Sequence, residues 1–145
     1  MLSGAVQLKH SDATDKILGV FYDVYNELGY GFLESVYQNS MVIALGETGL
    51  SVESEVPTPV WFRKKLVGDF RADMIVNGVV LVELKSAKAL DTSHEAQTLN
   101  YLRATNIEVA LLLNFGPKPK FIRLAFDNAR KEISVYPRSS AAAGL

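Results

Sequence analysis

The segment VVLVELKSAK, from Val79 to Lys88, begins as the aliphatic run of a buried strand, yet it carries Glu83 and Lys85. Side chains two positions apart on a strand share a face, so the carboxylate and the ammonium stand together, beside Val79 and Leu81. Charges on such a strand are costly unless something compensates them. A second carboxylate, Asp73, sits on the preceding alternating segment, Leu66 to Val76, and Asn77-Gly78 marks a hairpin between the two.

The turn decides whether the carboxylates meet. A two-residue loop would pair Val76 with Val79 and set Asp73 opposite Val82, with the two acids on opposite faces. An odd loop, such as a type I turn with a left-handed Gly78 as a bulge, puts Phe70, Ala72, Met74 and Val76 on one core face with Val80, Val82 and Leu84. Asp69, Arg71, Asp73, Glu83 and Lys85 then gather on the other, and burial favours this register. Two close carboxylates repel, and a shared proton or a bound cation relieves them. Oxygen ligands without His or Cys favour Mg²⁺ or Mn²⁺, beside which Lys85 can position a water and neutralise a phosphate. That is the chemistry of phosphodiester hydrolysis. The plainer reading is a solvated Glu83–Lys85 pair guarding an edge strand against aggregation.

The elements that must position these residues fit one domain. The 145 residues, 48% of them hydrophobic, suffice for a single core. Fifteen basic against sixteen acidic residues give a net charge of −1, so nucleic-acid binding would need a local patch rather than a global field. With no cysteine, disulfides, thiolate metal sites and thiol catalysis are excluded. MLSGAVQLKHSD lacks the apolar core of a secretion signal, and the longest wholly apolar run, Val109 to Leu113, is far short of a membrane span, which favours a cytoplasmic protein.

Ile17, Leu18, Phe21, Val24, Tyr25 and Leu28 recur at helical spacing from Asp15 until Gly29, and Leu33, Val36, Tyr37, Met41, Ala44 and Leu45 make a second stripe ending near Gly49. The two helices are expected to pair. Pro57 and Pro59 place Ser51 to Phe62 at a sheet edge. Thr92 as cap and Glu95 reaching back predict a helix from Ser93 to about Thr105. VALLLNF, apolar on both faces, reads as a covered strand, GPKPK as a turn, and Phe121 to Phe126 as the last strand. The expected architecture is α/β with a mixed sheet: residues 1–13 an N-terminal extension, 14–128 the domain, and 129–145, with PRSSAAAGL, a loose tail.

Taken together, FRAD (Phe70 to Asp73), a short hairpin and VELK (Val82 to Lys85) resemble the PD-(D/E)XK nuclease superfamily. GFLESVY supplies Gly31, Glu34 and Tyr37 at the spacing of the GxxExxY family within it, and HEAQTLNYL and LLLNFG are similar to that family too. The resemblance runs from about Ile17 to Phe126. It implies a restriction-endonuclease-like core with a mixed β-sheet flanked by α-helices, and a Mg²⁺- or Mn²⁺-dependent nuclease acting on DNA. By position, Asp73 and Glu83 become metal ligands, Glu34 a third carboxylate and Lys85 the catalytic lysine. Gln97 and Tyr101 match the Gln-x-x-x-Tyr element of RecB-like members, near the substrate backbone. His94, one turn earlier, is either a phosphate contact or incidental. Arg63, Lys64, Lys65, Lys88, Arg103, Lys118 and Lys120 are candidates for basic rims. Trp61 and Phe62 are candidates for base stacking. The competing function is a non-catalytic nucleic-acid- or protein-binding module that keeps the fold. A homodimer is left open.

Overall fold

The computed structural model describes residues 8–131; the PRSSAAAGL tail expected to be loose lies outside them. Helix α1 (Ser11–Leu28) and helix α2 (Glu34–Glu47) are followed by strands β1 (Val52–Phe62), β2 (Lys65–Val76) and β3 (Val80–Lys85), helix α3 (Thr92–Arg103), and strands β4 (Val109–Phe115) and β5 (Pro119–Ala125). The sheet order is β1-β2-β3-β4-β5, antiparallel except for β3 and β4, which run parallel across the α3 crossover. Such a crossover covers one face of the sheet with its helix. No helix among the described residues is long and apolar enough to cross a membrane.

The helices close where their sequences stop supplying an apolar face. Helix α1 buries Ile17, Phe21 and Val24, and ends at Gly29, whose φ of 70° a side chain would resist. It begins four residues before the expected Asp15. The Thr14 hydroxyl donates to the Ser11 carbonyl, and Ala13 and Thr14 are buried, so the first turn is held by packing that periodicity does not reveal. Helix α2 buries Tyr37, Met41 and Leu45 at successive fours. Leu33, expected in that stripe, is 77% exposed, because it lies at the extended residue before the helix.

The two faces of the sheet are covered differently. Helices α1 and α2 pack over Met74, Val76, Val80, Val82, Leu84, Val109, Leu111, Leu113 and Phe115. On the opposite face α3 contributes Leu102, over Ala72, Ile75, Leu81 and Ala110. Strand β4 is buried along its whole length, as a strand between two layers must be.

Two sequence expectations change here. The odd register is present, with Val76 opposite Val80, but Asn77 and Gly78 both have positive φ (53° and 69°). The turn therefore has the φ signs of a type I′ turn followed by an extra residue, Val79, rather than those of a type I turn. Asn77 tolerates the left-handed region and is fixed there: its Oδ1 accepts from Ser51 N–H, and its own N–H donates to Ser51 O. The second change is in β2. Met74 and Val76 join the core under α1 and α2, whereas Phe70 and Ala72 turn to the α3 side, so the expected four-residue face is broken at Asp73. Opposite that break Glu55 has φ 53°, and β1–β2 pairing resumes only at Val56 and Ala72. Asp69 and Arg71, expected beside Asp73, consequently lie on the exposed side of a two-stranded arm, where Arg71 bonds the Glu55 carbonyl.

Candidate functional site

Strands β2 and β3 pair only from Val76/Val80 to Met74/Val82. Beyond that point the ladder is replaced by side chains: Asp73 N–H donates to Glu83 Oε2 at 2.9 Å, and Leu84 N–H donates to Asp73 Oδ2 at 2.7 Å. Each carboxylate thus satisfies a backbone donor that a neighbouring strand would otherwise have taken. The expected encounter of Asp73 with Glu83 occurs, at a notch where the two strands separate.

The notch is electrostatically strained. Burial, with Asp73 alongside, pushes the Glu83 carboxyl up to about 8, against the opposing pull of the Asp73 N–H and of Lys85. Burial likewise raises Asp73, with Glu34 and Glu55 adding to it, while the Leu84 N–H and Lys85 pull it down. Lys85 therefore stands within the field of both acids, as its place two residues beyond Glu83 requires. Glu34, exposed in the first turn of α2, acts on both carboxylates from the α2 side. Tyr101 reaches them from α3: burial and then Glu83 and Asp73 raise its hydroxyl, and its ring stacks on Phe70 with centroids 3.5 Å apart.

Other predicted residues take different places. Gln97 is exposed on α3, four residues before Tyr101. His94 takes part in a cap: Asp91, rather than Thr92, accepts from Ser93 N–H and His94 N–H, and His94 Nδ1 accepts from Asp91 N–H. The helix accordingly starts at Thr92, and Glu95 has no part in the box, because the residue three after Asp91 is the histidine. Arg63 and Lys64 form the β1–β2 turn, with Arg63 over the exposed Phe62 ring, and Arg103 bonds Asn100. Lys88, Lys118 and Lys120, by contrast, line one groove.

Sequence reasoning gave no structural role at the site to several residues that contribute to it. Gln38 Nε2 donates to Glu55 Oε2 and to the Asp73 carbonyl, tying α2 to the notch; its signal was its place four residues after Glu34. Glu55 gave none, since a left-handed backbone at a strand glutamate has no signature in residue type; exposed as it is, it bonds Gln38 and its charge acts on Asp73. Tyr37 is fully buried, stacks on Phe115, donates to the Gly29 carbonyl and accepts from Phe32 N–H, so it fixes the turn that precedes Glu34. In that turn Gly31 has φ 113°, which favours glycine. Asn114 bonds both the N–H and the carbonyl of Ala87, and a Cβ on Gly116 would lie 2.4 Å from the Ala87 oxygen. The chain after Lys85 is held against β4 by these two residues.

The donor set fits a hard divalent cation in part. Asp73 Oδ2 and Glu83 Oε2 are engaged with the backbone, which leaves Oδ1 and Oε1 without a hydrogen-bond partner among the described residues. A cation would offset the burial and the Asp73 charge that together hold the Glu83 carboxyl up. Among the described residues no three of His, Asp and Glu are gathered closely enough to hold a metal by themselves.

The mixed five-stranded sheet with three α-helices is the restriction-endonuclease-like α/β arrangement expected from the sequence. No curated protein matches the chain significantly. The crystal structure of SSO0001 is similar, with a TM-score of 0.51 and 15% identity over 77% of this chain, which spans 58% of that protein's length. At that identity the likeness speaks for the fold. The family model for the PD-(D/E)XK nuclease superfamily matches residues 11–124, from the first turn of α1 almost to the end of β5. The chain belongs to the PD-(D/E)XK nuclease superfamily.

Proposed function

We propose that the chain is a divalent-metal-dependent nuclease that hydrolyses DNA phosphodiester bonds, in the GxxExxY group and with the RecB-like Gln-x-x-x-Tyr element, working in the cytoplasm. The observation that carries this reading is the reciprocal bonding of Asp73 and Glu83 at the β2–β3 notch. It holds two carboxylates together in a partly buried place, with an ammonium near both. A purely structural pair would be expected to settle as a salt bridge or to be replaced by apolar residues.

Asp73 and Glu83 would hold Mg²⁺ or Mn²⁺ through their unengaged oxygens, with Glu34 available from α2. When bound, such an ion would supply Lewis acidity and make a water easier to deprotonate, and so a better nucleophile toward phosphorus. Lys85 balances the charge of the incoming phosphate and orients the water. Gln97 and Tyr101, four residues apart on α3, would position the substrate backbone.

Cleavage of labelled single-stranded, duplex and branched DNA and of RNA, with Mg²⁺, Mn²⁺ or EDTA, tests the reading. The expected result is metal-dependent cutting of DNA, lowered roughly 10³-fold or more by Glu83→Ala and abolished by EDTA. Equal cutting by wild type, Glu83→Ala and Lys85→Ala, or none on any substrate, would leave the non-catalytic binding module as the better account.

A further inference from the structure

Two grooves on the described surface meet along one line. The first, about 330 Å³, lies between the α1–α2 turn and the chain after β3, with Tyr30, Phe32 and Lys88 among its walls. The second, about 440 Å³, continues over the β4–β5 turn and includes Lys88, Lys118, Lys120 and Phe121. Lys88 and Pro117 belong to both, so the two form a single trough.

Its lining contains three lysines and no Asp or Glu, although the whole chain has sixteen acidic residues against fifteen basic ones. The lysines are all exposed. Aromatic rings stand open beside them: Tyr30 is 61% exposed, Phe32 48% and Phe121 40%. Exposed cations and partly exposed aromatic residues lining one trough suit a polymer that offers phosphates and planar bases together. In a duplex the base faces are hidden by stacking, so rings aimed at them gain nothing there; in an unpaired strand each base has a free face.

The trough also ends where the chemistry is. One wall, the Tyr30–Phe32 turn fixed by Tyr37, runs directly into Glu34. The other, Ser86 to Lys88, runs directly out of Lys85 and is clamped by Asn114. Lys88 is three residues on from Lys85, a step that spans at most about 11 Å of extended chain, the order of one or two nucleotides.

We propose that this trough carries a single, unpaired nucleic-acid strand to the Asp73–Glu83 notch. Its phosphates lie on Lys88, Lys118 and Lys120, and bases stack on Tyr30, Phe32 and Phe121. The inference rests on the nuclease reading for what happens at the trough's end, and on the trough alone for which substrate class it admits.

Fluorescence anisotropy of the full chain in EDTA, with labelled dT12, rU12 and a blunt 20-base-pair duplex as probes, separates the two questions. Expected is tighter binding of an unpaired strand than of the duplex by roughly ten-fold. The dT12 and rU12 arms decide between DNA and RNA. Lys118→Ala with Lys120→Ala should weaken single-strand binding and lower its salt slope by about 1.4, from about 0.7 for each lost phosphate contact. Tyr30→Ala should weaken it roughly five-fold or more without altering the salt slope. These positions are exposed, and an unchanged thermal midpoint shows that the variants fold. Equal affinity for the blunt duplex, or wild-type strand binding by both variants, overturns the proposal. A chain that grips the strand as described yet never cuts it overturns only the nuclease reading.

Discussion

The two ends of the β2–β3 pair are built from the same strands and behave in opposite ways. At one end Val76 and Val80 face each other in a completed ladder beside a tight turn, both fully buried. At the other end, three residues away, the ladder stops and the carboxylates of Asp73 and Glu83 take over the backbone bonds. The closed end gains from removing water. The open end keeps ionisable groups in a place where burial and like charge disfavour their ionisation, and a cation can relieve that. One hairpin supplies both, since the turn at Asn77 and Gly78 sets which way Glu83 faces.

The comparison can be broken most forcefully inside β3 itself. Lys85→Met should reduce metal-dependent cleavage by roughly 10²- to 10⁴-fold while leaving the denaturant midpoint nearly unchanged. Leu81→Ala, four residues earlier and fully buried, should cost about 2–5 kcal/mol of stability with little change in the rate of the folded fraction. Urea titrations beside single-turnover cleavage read both. If the effects are exchanged, or if both variants lose stability and rate together, the two ends are not separable.

Acidity distinguishes the ends next. Because burial and Asp73 raise Glu83 from its ordinary range to about 8, the folded chain holds a proton that the unfolded chain has released. Metal-free stability is then greatest below about pH 4.5 as far as this group is concerned, and its contribution is lost as pH rises toward 8. Glu83→Gln, which can still accept from the Asp73 N–H, should flatten that fall. At pH 8 it should be more stable than wild type by an amount on the order of a few kcal/mol. Mg²⁺ should recover wild-type stability at pH 8 and leave the variant's thermal midpoint where it was. A wild type whose stability rises between pH 5 and 8 in EDTA, once its other carboxylates are matched by the variant, would show that Glu83 ionises freely.

The smallest effect belongs to the turn. Gly78→Ala, at φ 69°, should cost about 1 kcal/mol and leave cleavage by the folded chain intact, measurable as a shift of the thermal midpoint. A loss of cleavage greater than the loss of folded protein would mean that the register slips and carries Glu83 away from Asp73.

What could be read from the chain follows the same division. The closed end was legible, since period-two hydrophobicity and Asn-Gly give an odd register whether the turn is type I or has the φ signs of I′. The meeting of Asp73 with Glu83 followed from that register. The face change at Asp73 was not legible, because Ala72 and Phe70 are as apolar as Met74 and satisfy a second core equally well. Only the left-handed Glu55 and the departing strand distinguish them, and neither has a signature in residue type. At α3 the error was one of choice between neighbours, Asp91 and Thr92 both being good caps, and it was settled by the histidine three positions after Asp91. Tyr37 shows a different limit. Its spacing from Gly31 and Glu34 is plain, but that it braces the turn with its hydroxyl rather than facing a ligand depends on Phe115, far along the chain.

Asn114 has a consequence of another kind. Its amide offers Ala87 one donor and one acceptor, as a peptide unit on an adjoining strand would. The chain after β3 is thereby held to β4 beyond their last ladder pair, Lys85 with Asn114, and Lys85 sits inside a secured stretch instead of at a fraying end. The backbone that carries the lysine is therefore fixed on both sides of it without any ligand.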